Sequence, residues 1–102
     1  MFVMVTSTFP PHKQPEVAPI SQKMIATPLP PFVKRLYLFA RPDLESGVKS
    51  FSILEVEAGK EGEGLQAIYG SVAQYAGIEG FRYSVDIVGD TLAAAAQAAQ
   101  TA

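Results

Sequence analysis

No cysteine occurs in the 102 residues, which excludes disulfides, thiolate metal sites and a cysteine nucleophile. Histidine is nearly absent as well: His12 stands alone, and one imidazole with scattered carboxylates does not make a metal-ligand set. The 8 basic residues do not outnumber the 10 acidic ones and form no cluster, so the electrostatic footprint required for a phosphate backbone is missing. No nucleic-acid partner is expected. No run approaches the roughly 18 apolar residues that read as a membrane-spanning helix, so no membrane partner is expected either. The opening MFVMVTSTF is short, lacks a basic flank and contains threonines, which suits a first strand better than a signal peptide. A cytoplasmic protein is the default expectation.

What is present is apolar. The chain is 48% hydrophobic and 18% charged, against roughly 25% charged in a typical soluble domain. Its length fits one domain that buries only about 60 to 70% of its unfolded surface. The apolar excess points to a partner surface, and a second copy of the chain is the commonest way of covering one.

The clearest pattern is Gly77 to Asp90, GIEGFRYSVDIVGD. Phe81, Tyr83, Val85 and Ile87 fall on one side of a strand, and Arg82, Ser84 and Asp86 on the other, because successive side chains alternate. Upstream, Met1 to Thr8 reads as a strand stopped by Pro10 and Pro11, which cannot donate to a ladder. Val17, Ile20 and Met24 recur at helical spacing from Pro15 to about Thr27, although Pro19 leaves the start of that helix uncertain by several residues. Phe32 to Arg41 reads as a second strand with Leu36, Leu38 and Ala40 on one face and Arg35, Tyr37, Phe39 and Arg41 on the other. A polar turn over Pro42 to Gly47 joins it to a third strand, Lys49 to Glu57, whose Leu54 and Val56 face the helices. Leu65, Ile68, Tyr69 and Val72 then mark a second helix, with Glu61 and Glu63 at its positive end and Gly77 as its C′ glycine. Asp90 is a good N-cap for the alanine-rich tail, which is expected to lie on the surface or across a neighbouring subunit.

This order predicts one α+β domain over 1–102: a ferredoxin-like βαββαβ core over 1–89 and a helical tail over 90–102. Right-handed crossovers put both helices on one face of a four-stranded antiparallel sheet. The other face is left bare with Phe2, Met4, Tyr37, Phe39 and Ile53 on it, and a homodimer packed sheet to sheet is the simplest cover.

MFVMVTSTFPPHK, PPFVKRLYLF and IEGFRYSVDI, in that order, resemble the dimeric α/β-barrel superfamily, and more narrowly a group of small uncharacterised bacterial proteins within it. The resemblance implies two ferredoxin-like subunits with their sheets face to face. Its members include cofactor-independent monooxygenases, small isomerases, haem enzymes, stress-responsive proteins and ligand-sensing domains of transcription regulators, so it does not choose a reaction. The chain is much shorter than the haem-binding branches and its one histidine sits in a proline loop, so haem is not expected, nor is any other cofactor. No DNA-binding helix pair precedes the sheet, so a complete transcription regulator is not expected.

His12 is the group to expect in a proton-transfer site; the other reading is an exposed loop histidine beside two prolines. Arg35, Tyr37 and Glu55 join it as candidate catalytic residues, with Arg82, Ser84, Asp86 and Tyr83 as candidate ligand contacts. Mixed charge within an apolar concavity suits a small apolar or aromatic ligand; the competing reading is cross-strand pairing of Arg35 or Arg41 with Glu55 or Glu57. GKEGEG has neither the Walker nor the dinucleotide spacing, and its glutamates would repel phosphate. Tyr69 and Tyr75 are expected as core or interface aromatics with a wet hydroxyl. The functional expectation is a small-molecule-binding homodimer, with a cofactor-independent monooxygenase or isomerase as its enzymatic form; the alternative is a non-catalytic sensor or structural interaction module.

Overall fold

The first and last strands of the chain are β-branched or aromatic at most positions, and the prolines after the first and the glycines around the last mark their ends. A computed structural model describes residues 1–45 and 47–101; Ser46 of the expected turn and Ala102 of the expected tail lie outside the described residues. The elements run β1 (Phe2–Phe9), α1 (Gln14–Ala26), β2 (Val33–Asp43), β3 (Gly47–Val56), α2 (Glu61–Ala73), β4 (Arg82–Val88) and α3 (Thr91–Thr101). The sheet order is β2-β3-β1-β4 with every neighbouring pair antiparallel, consistent with a ferredoxin-like arrangement.

A 3-10 turn over Pro11–Lys13 leads into α1, and Pro19 lies inside α1 without ending it. At Gly47 the backbone has φ +91, and a Cβ there would meet the carbonyl oxygen of Phe9. Glycine is thus required twice at this hairpin corner. The end of α2 differs from expectation. The helix stops at Ala73, and Gln74, Tyr75 and Ala76 donate to carbonyls three residues back. These tightened turns satisfy the terminal carbonyls, so no left-handed C′ residue is needed and Gly77 does not adopt a positive φ.

Register sorts the side chains into rows across the sheet, because directly paired residues share a face. The helix-facing rows are Arg35, Leu54, Val3 and Ile87; Leu38, Ser52, Val5 and Val85; and Ala40, Ser50, Ser7 and Tyr83. The bare face carries Tyr37, Ile53, Met4 and Asp86, then Phe39, Phe51, Thr6 and Ser84. Most of the expected alternation holds. Arg35 is the exception: β2 carries an irregularity between Arg35 and Tyr37 that inserts Leu36, so the strand changes phase there. Arg35 pairs with Leu54 and lies on the helix side, not among the bare-face residues where simple alternation puts it.

The buried apolar residues gather at the two ends of the helix side. One cluster joins Val3, Val33, Leu54, Val56 and Ile68; the other joins Phe9, Val17, Tyr75 and Ile78. At the first end α2 comes down on β3 so closely that a Cβ at Gly64 would run into the side chain of Val56. Burying each of these Val, Leu and Ile side chains contributes about 1.5–3 kcal/mol. Asp90 caps the tail as expected, its Oδ1 accepting from the Ala93 N–H at 2.9 Å, and residues 91–100 of α3 are all exposed.

Candidate functional site

Between the two clusters the helix side is hollow. The rows there have Ser7, Ser50, Ser52 and Ala40 on the sheet, and Ala18, Ser21 and Ser71 face them from α1 and α2. Where a filled core would place Leu or Phe, this chain places its smallest side chains. The result is a cavity of about 250 Å³ between sheet and helices, reaching the surface beside β2, where Leu38 and Ala40 are exposed. It is near the small end of ligand sites.

Besides Gln14 and Ser71, the lining holds polar groups with a partner and polar groups without one. Ser7 and Ser50 hydrogen-bond each other, and the Tyr75 hydroxyl lies 2.7 Å from the Ser21 hydroxyl and 3.9 Å from the Met24 sulfur. Each of these groups has a partner. Two others have none: Ser52 Oγ and Arg35 Nε are buried without a hydrogen-bond partner among the described residues, and both belong to the lining. Ser52 is only 8% exposed. A buried polar group left unpaired costs about 1–3 kcal/mol, so an acceptor or donor brought by a ligand has a place to act. At the far end the lining is aromatic, with Tyr75 and Phe81 stacked at 4.5 Å and Phe9 beyond at 6.2 Å from Phe81.

Of the eight residues singled out in the sequence, only Arg35 lines this cavity. His12 is exposed on the 3-10 turn, with no hydrogen bond or ion pair to another described residue. Tyr37, Glu55, Arg82, Ser84 and Asp86 are exposed on the bare face, and Tyr83 is half-exposed on the helix side outside the cavity. The set is therefore divided between two faces and a loop. No expected pairing of Arg35 or Arg41 with Glu55 or Glu57 forms among the described residues; Arg41 instead contacts Asp43 at 3.1 Å. Tyr75 is buried with its hydroxyl bonded rather than wet, whereas Tyr69 is 47% exposed on the outer side of α2. Ser7, Ser50 and Ser52 are the residues that motif reasoning passes over. Their signal lies in phase: Ser50 and Ser52 alternate with Phe51 and Ile53 in step with Leu54 and Val56.

The bare face has a different character. Tyr37 and Phe39 stack at 5.7 Å and are 56% and 61% exposed, and the Lys49 ammonium lies 5.5 Å from the centre of the Phe51 ring. At the start of α2 the Glu61 carboxyl is held below its ordinary range by hydrogen bonds from its own N–H and from the N–H of Gly59, the latter at 3.2 Å. No three His, Asp or Glu side chains gather into a metal-binding group among the described residues. No described helix is long and apolar enough to cross a membrane.

No protein-family model matches the chain, and no curated protein does. Among solved structures it is similar to a formyltetrahydrofolate deformylase from Pseudomonas putida KT2440, at 8% identity and a TM-score of 0.44. The match covers 85% of this chain and 28% of that enzyme.

Proposed function

We propose that this chain is a small-molecule-binding homodimer whose ligand occupies the cavity between sheet and helices. The observation that carries the reading is a void of about 250 Å³ whose lining contains both buried, unpartnered polar side-chain atoms, Arg35 Nε and Ser52 Oγ. Apolar walls with a few convergent polar groups are what a ligand site requires.

Binding is better supported than catalysis. A general acid or base must come within hydrogen-bond reach of the group it serves, and His12, Tyr37 and Glu55 do not line the cavity. A monooxygenase or isomerase would have to act with Arg35, the Tyr75 hydroxyl and the serine and glutamine side chains of the lining, without histidine or carboxylate. The ligand is therefore bound rather than transformed in this reading, as in a sensor. The bare face supports the dimer: Tyr37, Phe39, Phe51 and Ile53 form neighbouring rows that a second sheet would cover, as in the dimeric α/β barrels the sequence resembles.

Thermal shift against apolar and aromatic small molecules tests the first part, with a rise in Tm for at least one class expected and no shift for any class opposing the reading. Sedimentation tests the second. A two-chain mass at micromolar concentration is expected, and Phe39→Asp should reduce it to one chain; a one-chain mass for the unaltered protein would remove the dimer.

A further inference from the structure

Arg35 is the one charged residue lining the cavity; none of the chain's ten acidic residues does so. It forms no ion pair or hydrogen bond with another described residue, and its Nε is out of water. The Arg35 guanidinium therefore places a positive charge with no carboxylate partner among the described residues at this wall of the cavity. The fork formed by Nε and a neighbouring Nη matches a carboxylate in two parallel hydrogen bonds. The Ser52 hydroxyl, on the next helix-facing row, can supply a third donor.

The remaining lining limits the rest of the ligand. Ser7 and Ser50 are bonded to each other and Tyr75 to Ser21, so each of these hydroxyls already has a partner, unlike Ser52. Val5, Val48, Val72, Met24 and the Phe81 ring supply apolar contact. Along β3, the levels of Val48 and Leu54 are six residues apart, which is about 20 Å of strand at the usual rise. The buried polar atoms without a partner, Arg35 Nε and Ser52 Oγ, thus lie in one part of an elongated, mostly apolar space. One guanidinium balances one negative charge, whereas a phosphate dianion would bring a second charge that nothing in the lining offsets.

We propose that the cavity binds an elongated monocarboxylate with an apolar body, of the medium-chain fatty acid or arylalkanoate kind, its carboxylate on Arg35 and Ser52 and its body directed toward Phe81. This deepens the ligand-binding reading and rests on it.

The test compares octanoate with 1-octanol on the intact protein, by calorimetry together with methyl-resolved NMR. Octanoate should bind at least about tenfold more tightly, the least that charge-assisted hydrogen bonds confer. Its binding should move the Val5 and Leu54 methyl signals and leave that of Ile53 on the bare face in place. Arg35→Met should bring octanoate down to the affinity of octanol while changing octanol less than about threefold, since the apolar contacts remain. Arg35→Lys keeps the charge without the fork and should fall between the two, which keeps the test valid if the Met variant does not fold. Equal binding of octanoate and octanol at the Val5 and Leu54 methyls would overturn the carboxylate proposal and leave the cavity reading standing. Failure of both compounds to move those methyls would overturn the two together.

Discussion

On the side of the sheet that the helices cover, the middle rows hold Ser7, Ser50, Ser52 and Ala40 over a void. On the side that nothing covers, the same strands present Tyr37, Phe39, Phe51 and Ile53. A lone chain minimising its free energy would do the reverse, with its large side chains inside and its small ones outside. The inversion is explained if each face completes itself with something from outside the chain: a small molecule in one case and a second sheet in the other. The comparison also separates two roles for apolar residues. Leu54 and Ile68 hold the fold together at a solid end, whereas Phe39 and Tyr37 contribute little to an isolated chain because they remain largely in water.

Substitutions along β3 and α2 can break or sharpen this contrast. Leu54→Ala should have the largest effect, a loss of about 2–5 kcal/mol in urea unfolding, because it empties space at the solid end. Gly64→Ala should cost about 1–3 kcal/mol through its collision with Val56, while Gly70→Ala, on the open side of the same helix, should add about 0.5–1 kcal/mol. Equal effects at the two glycines would show that α2 is not seated on β3 as described. Ser52→Val should act with the opposite sign to Leu54→Ala, raising stability by about 1 kcal/mol by removing an unpartnered hydroxyl and filling part of the void. A loss as large as that from Leu54→Ala would mean the middle row is already full. The smallest effect belongs to Glu61, whose lowered carboxyl pKa makes it stabilising above its unfolded value, with that stability lost as pH falls through the folded one. In an NMR titration its midpoint should lie below the ordinary glutamate value, and Glu61→Gln should flatten this part of the acid limb; a midpoint at or above that value would mean that the N–H contacts do not form.

Much of this architecture is legible in the sequence, and the illegible part has a local cause. The alternation Phe81, Tyr83, Val85, Ile87 against Arg82, Ser84, Asp86 assigns β4 to its two faces correctly, and Val17, Ile20 and Met24 locate α1 despite Pro19. In FVKRLYLFAR, apolar or aromatic residues occupy both phases, so an inserted Leu36 leaves no mark on the pattern. That single residue moves Arg35 from the bare face into the cavity. The other candidates, His12, Tyr37 and Glu55 among them, carry chemistry that a pattern displays, but a site formed by omission of bulk is recorded in serines and alanines, which carry no motif. Their phase relative to Leu54 and Val56 is the signal, and it is visible only once the strand is assigned.

The covered face is hollow between two solid ends, and Val5, Val48 and Val72 line the void. Xenon pressure with methyl-resolved NMR tests this directly, since apolar cavities of this order of size take up xenon. Progressive shifts are expected at Val5, Val48, Leu54, Ile68 and Val72, with Ile53 and Val88 on the bare face unmoved. Shifts confined to Ile53 and Val88, or none at the cavity methyls, would contradict it.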